Sequence, residues 1–389
     1  MNIVFVSNFL NHHQVPVADE LYKLTNGNYT FVETIPLPNS FRKSGYPTYE
    51  KPYYLKAWQS EDNMQKAQEI ILNADVAFFL TTCLKDFAID RLKLGKLSFE
   101  VSERWFKKGF INLMSPNLWK HQLTYYLYGR TAPLYMLCSS AFAAYDYNLM
   151  MSYKNRCYKW GYFTQVDEKF DIEKSIQDTS TSEITELMWC SRFLKWKHPE
   201  LVIHMAANLK AKGYKFRVDI FGDEGNASKH DKVFSRKKLL KMITKYALKD
   251  YVVLKGNRPN QLILEEMRSH SIFLFTSDRN EGWGAVANEA MANGCVLVAS
   301  DKIGSSPYLV NDGINGLLFK SGDINSLTQK VEWLLTHKEE IARIQRNAYM
   351  TMRNAWNPKN AAANLLQLIN DLKNGKDTSI IDGPCSKDF

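Results

Sequence analysis

Short apolar runs rich in β-branched and aromatic residues alternate with helix-period stretches along most of this chain, the pattern of a parallel sheet covered by helices on both faces. In the first half the runs predict strands near Ile3–Ser7, Tyr29–Glu33, Val76–Leu80, Leu97–Val101 and Tyr135–Ser139, followed by the apolar run Lys159–Phe163. A second series is predicted at Glu186–Cys190, Arg217–Phe221, Val252–Lys255, Ile272–Thr276 and Val296–Ala299. Between Thr164 and Ile184 the chain is polar, with the composition of an interdomain connection. The pattern therefore predicts two doubly wound α/β domains, 1–165 and 166–355. Helical patterns at Lys330–Thr336 and Glu339–Arg353 lead to Trp356-Asn-Pro358, where the proline disfavours helix at the residue before it, so a new helix is expected over Asn360–Lys373. The polar stretch from Asn374 to Phe389 reads as a loosely held tail.

Composition agrees with two cores. A chain of 389 residues with 45% hydrophobic residues is too long for a single ordinary core. The 23% charged fraction, 21 Phe and 20 Tyr describe a globular protein rather than a disordered one. Six scattered Cys without a Cys-x-x-Cys pair suggest neither zinc nor a disulfide framework, so a reducing cytoplasm is the natural reading. The amino terminus is a short strand pattern without a basic leader, and no run of about 18 apolar residues predicts a membrane span. The net charge of +9 favours an anionic partner: a nucleotide diphosphate, lipid headgroups or nucleic acid.

The segment after the predicted strand Ile272–Thr276 narrows the choice. Ser277–Gly284 is a polar, glycine-bearing loop and Ala285–Ala292 carries strong helix formers, so the first helical N–H groups point past the carboxyl end of the strand, where an anion binds well. Gly282 and Gly284 permit close backbone approach. Glu281 lies in the loop, and Glu289, eight positions on, lies about one turn into the helix. Two carboxylates so placed can accept hydrogen bonds from hydroxyl-bearing groups on either side of a phosphate, the layout of a nucleotide sugar. Taken alone, the pair is equally a helix cap at Glu281 with a solvated Glu289.

The longer stretch Glu281-Gly-Trp-Gly-Ala-Val-Ala-Asn-Glu289-Ala-Met-Ala-Asn-Gly294, continuing through Gly304, Gly313, Gly316 and Gly322-Asp323, resembles the donor site of family-4 glycosyltransferases, which are retaining enzymes of the GT-B fold. The resemblance implies two Rossmann-like domains facing a central cleft, a crossover helix over 356–375 that returns to the first domain, and a tail over 376–389. It places Gly282, Trp283, Gly284, Ala285 and Val286 along the donor, Glu281 at the sugar hydroxyls and Glu289 at the ribose. The family's loop glycines around Gly313 and Gly316 imply a short hairpin. Cys190-Ser-Arg192-Phe-Leu-Lys-Trp-Lys197 is similar to the strand-end segment whose Arg and Lys hold the donor diphosphate, with Ser191 where the family usually has glycine. Arg192 can fork two N–H bonds to one phosphate and Lys197 supplies a point charge for the other. Phe221-Gly-Asp-Glu-Gly225 is similar to a Gly-Asp-Gly turn of the family, and Asn257 and Arg258 stand where the nucleobase packs, although a plain strand-to-helix turn has the same look.

In the first half, Asn8-Phe-Leu-Asn-His12-His13-Gln14 follows the first strand and lacks the Gly-Gly pair of many relatives, which leaves His12 or His13 to meet the phosphate or acceptor, or to cap the helix. Glu103 stands at another strand end, either near the acceptor hydroxyl or as a partner of Arg104. From Arg104 to Arg130 basic residues interleave with aromatics, either a surface for anionic lipid or core aromatics with solvated charges. Without an Asp-x-Asp pair no divalent metal and no cofactor is expected; the nucleotide sugar is a substrate. The resemblance implies metal-independent transfer from a UDP- or GDP-sugar to a glycan or lipid-linked acceptor in surface polysaccharide or glycoconjugate synthesis. The setting it implies is cytoplasmic, compatible with peripheral contact at the inner face of the membrane. The alternatives are a catalytically silent GT-B homologue, which predicts loss of Glu281, Arg192 or Lys197, and a nucleic-acid binder, which predicts clustered basic readout elements instead.

Overall fold

A computed structural model describes residues 1–38, 47–225 and 232–389. The chain divides into two compact units, Met1–Gln165 with Trp356–Phe389, and Val166–Ala355.

The first unit is built on seven strands: β1 (Ile3–Ser7), β2 (Tyr29–Glu33), β3 (Tyr54–Lys56), β4 (Val76–Leu80), β5 (Ser98–Ser102), β6 (Leu134–Cys138) and β7 (Cys157–Lys159). They pair in parallel in the order β3-β2-β1-β4-β5-β6-β7. Both faces of the sheet are covered, so every residue of β1 is buried and its sequence is a continuous apolar run rather than an alternation. Phe31, Phe5, Phe78 and Phe99 stack across four neighbouring strands with ring centroids 5.6, 5.8 and 4.9 Å apart. The buried Arg91 staples this unit by donating to the carbonyls of Ile71, Ala74, Asp75 and Leu97 at 2.7–3.1 Å.

The helix Pro358–Lys373 belongs to this unit; it starts at Pro358, and Asn357 caps it by accepting from Asn360 N at 2.8 Å. The tail is not loose. Lys159 N donates to Ser386 O, Cys385 N to Lys159 O and Asp388 N to Cys157 O, at 2.7–3.0 Å, and Cys385 is buried. Residues 385–388 thus cover the outer edge of β7, which otherwise presents unpaired backbone groups. Side chains add to these bonds: Tyr158 Oη donates to Asp377 Oδ1 and Asn364 Nδ2 to Pro384 O, both at 2.9 Å. The run Lys159–Phe163 is likewise corrected: the strand ends at Lys159, and Trp160 and Phe163 are buried from a loop, with Phe163 stacked on Trp356 at 6.1 Å.

The second unit has six strands: β8 (Thr185–Cys190), β9 (Phe216–Phe221), β10 (Val252–Gly256), β11 (Ile272–Phe275), β12 (Val296–Ser300) and β13 (Leu317–Phe319). Their order is β10-β9-β8-β11-β12-β13, again parallel. The glycine-rich stretch expected to form a hairpin instead carries β13, a parallel edge strand beside β12. The polar connection contains an amphipathic helix, Ile172–Ser180, capped by Asp171 and anchored by buried Ser175 and Ile176. In each sheet the strand order reverses once, between β1 and β4 and between β8 and β11. Such a switch point opens a crevice at the carboxyl ends of the strands, where ligands bind. No helix among the described residues is long and apolar enough to cross a membrane.

Candidate active site

The loop after β8 and the loop after β11 meet at the switch point of the second unit. Lys197 ends a short 3₁₀ turn, Lys195–Lys197, and its ammonium pairs with the Glu281 carboxylate, the two side chains being 11% and 10% exposed. Ser277 Oγ donates to the same carboxylate oxygen at 2.9 Å, and Lys197 Nζ lies 4.3 Å from the Trp196 ring centre. Glu281 is therefore an ion-paired, buried group and not a helix cap; the helix Val286–Ala292 follows Ala285 with no side-chain cap.

The surrounding bonds lock the two loops together. Thr276 Oγ1 donates to Lys197 O at 2.7 Å and accepts from the Trp189 indole at 2.8 Å, while Asp278 N donates to Trp196 O at 3.0 Å. His198, in the left-handed region at φ +52, sits between Asp278 Oδ2 at 3.3 Å and Glu200 Oε1 at 2.8 Å. Those two bonds raise its pKa from 6.5 to about 9 against the opposing effect of burial. The stabilisation they give is complete below pH 6.5 and is lost as pH rises through about 9. Sequence reasoning passed over His198; its place before Pro199, the first residue of the helix Pro199–Ala211, was the available signal.

Glu289 lies on the helix Val286–Ala292 without a cationic partner among the described residues; Asn260 Nδ2 approaches it at 3.5 Å. Burial raises its pKa to about 7, so it is not the solvated surface carboxylate of the simpler reading. Burial and then the Glu289 charge push the thiol of Cys190, at the end of β8, up to about 12, with Lys197 opposing. Arg192 is exposed next to Gly225, with no side-chain hydrogen bond or ion pair among the described residues. Gly222, at φ +118, packs directly on this segment: a Cβ on it would lie 1.9 Å from Ser191 O.

The remaining donor-side residues divide. Asn257 and Arg258 are exposed on the loop after β10. Gly282 is buried, and Ala285 and Val286 are half-buried at the helix start. Gly284 has φ +84, and a Cβ there would lie 2.4 Å from Phe275 Cζ, so packing as well as backbone conformation demands glycine. Trp283 is 1% exposed and donates its indole N–H to Asn288 Oδ1 at 2.8 Å. Its side chain is packed beneath the loop, so what this residue can offer a ligand is main chain.

In the first unit a cavity of about 490 Å³ opens at the carboxyl ends of β1, β4, β5, β6 and β7. Phe5 and Phe31 of the aromatic ladder form its floor, and Val17, Leu21 and Leu365 line it from two helices. At its polar side Glu103 accepts from Tyr162 Oη at 2.6 Å and pairs with Lys107. Arg104 is not its partner: Arg104 reaches Asp146 at 3.2 Å. His13 lines the cavity, stacked on Tyr162 at 5.6 Å, and burial, then the neighbouring His12, lower its pKa to about 3. His13 is therefore a neutral imidazole at physiological pH. His12 packs against it at 3.7 Å, and burial lowers its pKa too. Neither caps the helix Val15–Leu24, whose N-cap is Gln14.

Beneath this cavity, and unanticipated from sequence, Glu100 is buried with His121 at 2.8 Å and Tyr147 at 3.2 Å, and it also accepts from Tyr153. Burial works against the charge on Glu100, but His121 and these bonds hold its pKa below the ordinary carboxylate value. Tyr147 Oη donates to Ser102 Oγ at 2.8 Å and accepts from the Trp105 indole, so the network fixes two residues of the cavity wall.

Among the described residues one cluster has the ligand types for a metal, Asp219 with Glu266 and His270. Asp219 already meets Lys255 at 2.9 Å and Arg217 at 3.2 Å, and those cations occupy its carboxylate.

Comparison with known proteins places these geometries. Residues 172–351 match the model of the family described as glycosyl transferases group 1. That match spans most of the second unit. An uncharacterized glycosyltransferase of Methanocaldococcus jannaschii is 33% identical over 105 residues, which are 26% of this chain and 29% of that relative's length. Over nearly the whole chain the fold matches Anabaena Alr3699/HepE solved in complex with UDP, with a TM-score of 0.67 and 17% identity over 94% of this chain and 99% of that one. Sucrose-phosphate synthase from Thermosynechococcus elongatus gives a TM-score of 0.66 and 14% identity over 97% and 100% of the two chains. The fold is GT-B. The matched residues begin in the helix Ile172–Ser180 and include Arg192, Lys197, Glu281 and Glu289.

Proposed function

We propose that the chain is a retaining, metal-independent glycosyltransferase that moves a sugar from a UDP- or GDP-sugar to a hydroxyl of a glycan or lipid-linked acceptor. The observation that carries the reading is the buried Lys197–Glu281 pair at the β8/β11 switch point, with Glu289 close by on the following helix. Structures of the Anabaena relative with UDP and with UDP-glucose support a uridine nucleotide as first choice.

In this reading the donor diphosphate lies over Lys197 and within reach of the exposed Arg192, whose charge no described residue neutralises. Glu281 orients the sugar hydroxyls and Glu289 accepts from the ribose hydroxyls. The bond from the anomeric carbon to the diphosphate oxygen breaks, the bond to the acceptor oxygen forms on the same face, and the acceptor proton passes to the departing diphosphate. Lys197 and Arg192 stabilise the charge that grows on that diphosphate. In the first unit Glu103 and the neutral His13 position the acceptor in the cavity. Surface polysaccharide or glycoconjugate synthesis, on the cytoplasmic side, is the setting that suits such an acceptor.

Thermal unfolding with a panel of nucleotides tests the donor site. At a hundredfold excess over Kd, ligand linkage adds about 2.7 kcal/mol, enough to raise the melting temperature measurably. UDP or GDP is expected to give this shift, chelator to leave it intact, and Glu289→Ala to remove most of it. Because burial raises the Glu289 pKa to about 7, the ionised form that accepts from ribose gains population as pH rises through that value, and the shift should grow with it. If no nucleotide or nucleotide sugar moves the transition, the donor-site assignment is wrong.

A further inference from the structure

The helix Pro116–Thr124 buries several polar side chains and leaves large apolar ones outside. On its inward face Leu118 is fully buried, and beside it His121 bonds to Glu100 at 2.8 Å, Gln122 accepts from Ser152 Oγ at 2.7 Å, and Thr124 is buried with them. Its outward face is apolar. Phe110, Ile111 and Met114 on the preceding 3₁₀ turn, Trp119 and Leu123 on the helix, and Leu127 after it are 55–81% exposed. Trp119, Leu123 and Leu127 recur at intervals of four and so share one face. A helix of a soluble unit normally turns this stripe inward, so a run of large exposed apolar side chains marks an interaction surface.

Charge indicates what covers it. From Arg104 to Arg130 the sequence has five Lys or Arg and no Asp or Glu. Arg104 and Lys107 are paired within the unit, while Lys108, Lys120 and Arg130 are exposed and make no ion pair among the described residues. A second copy of the chain meeting the same patch about a twofold axis would bring these cations together. An anionic bilayer satisfies both features, because apolar side chains enter the headgroup boundary while the lysines and arginines meet lipid phosphates. The Trp119 indole, bonded to Leu113 O at 2.7 Å, is held at the face of the patch, as suits an interfacial tryptophan.

We propose that residues 108–130 form the surface by which this protein lies on an anionic phospholipid bilayer. Lys107 and Trp105, just upstream, line the cavity of the same unit, so the patch and the cavity wall are parts of one continuous segment. The proposal rests on exposure and charge alone and stands apart from the donor-site reading.

The test is sedimentation of the full chain with phosphatidylcholine vesicles, with and without phosphatidylglycerol. Wild type is expected to bind the anionic vesicles and to be released by salt, each basic residue near the surface contributing about fivefold to partitioning. Trp119→Ser/Leu123→Ser/Leu127→Ser should lower partitioning by about a hundredfold or more, since it removes three buried apolar side chains. Lys108→Glu/Lys120→Glu, a second variant confined to exposed positions, should also lose binding while unfolding like wild type. Failure of wild type to bind anionic vesicles, or binding unchanged in both variants, overturns the proposal. So does lipid-independent self-association that the serine variant abolishes, which would assign the patch to a second copy of the chain. The nucleotide shift enters neither outcome, so the two readings fail separately.

Discussion

Replacing Lys197 by methionine is expected to lower glycosyl transfer about a hundred- to a thousandfold and to cost about 3–5 kcal/mol of stability. The two losses have different origins. Stability falls because Lys197 and Glu281 are 11% and 10% exposed, and truncating one partner leaves the other's charge buried with only Ser277 to satisfy it. Activity falls because the ammonium proposed to meet the leaving diphosphate is gone, which leaves the exposed Arg192 to balance the growing charge alone. Adding Glu281→Gln to Lys197→Met should therefore restore most of the stability and none of the turnover. Denaturant unfolding and turnover measured on the same preparations separate the two, and a single variant as stable and as active as wild type would remove the pair from the account.

Gly222→Ala is expected to destabilise the second unit by at least about 3 kcal/mol. The position has φ +118 and the new Cβ would fall 1.9 Å from Ser191 O, a main-chain atom that cannot turn aside. Relief requires the loops after β8 and β9 to part, which moves Arg192, the residue next to Ser191, and so lowers activity as well. Gly256→Ala is the control. It has φ +76 but nothing within 4 Å of the added Cβ, so its cost should stay near 1 kcal/mol, about the conformational contribution alone. Equal losses in the two variants, read from unfolding midpoints, would show that the close approach at Ser191 contributes nothing.

The contrast between these glycines shows what sequence could and could not reveal. Strands such as Ile3–Ser7 and Val76–Leu80 were legible because a parallel sheet covered on both faces writes itself as an unbroken apolar run. Tyr54–Lys56 was missed because it is a three-residue, half-buried edge strand, and Leu317–Phe319 was hidden among turn glycines. The docked tail was invisible because its partners at Cys157–Lys159 lie more than two hundred positions away in sequence.

At the site, the spacing of Glu281 and Glu289 singled out the loop after β11, and the family resemblance implied Arg192 and Lys197. The contact between Lys197 and Glu281, 84 positions apart, depends on strand order and could not be read from local pattern. The burial of Trp283 was likewise not legible, because it depends on the bond of its indole to Asn288 five residues on. His198 and the Glu100–His121 pair escaped notice because a single histidine or glutamate has no periodic signature.

The central claim, retaining transfer without a metal, is tested most directly by proton NMR of the anomeric centre. The full chain is incubated with UDP-glucose, UDP-galactose, UDP-N-acetylglucosamine or GDP-mannose in the presence of chelator. The account predicts that one of these donors is consumed and that the first product carries the donor's own anomeric configuration, whether the sugar has passed to an acceptor or to water. Inverted first product, or turnover that appears only on adding a divalent metal, would contradict the mechanism. A nucleotide sugar that binds yet is never consumed would contradict the enzymatic reading itself.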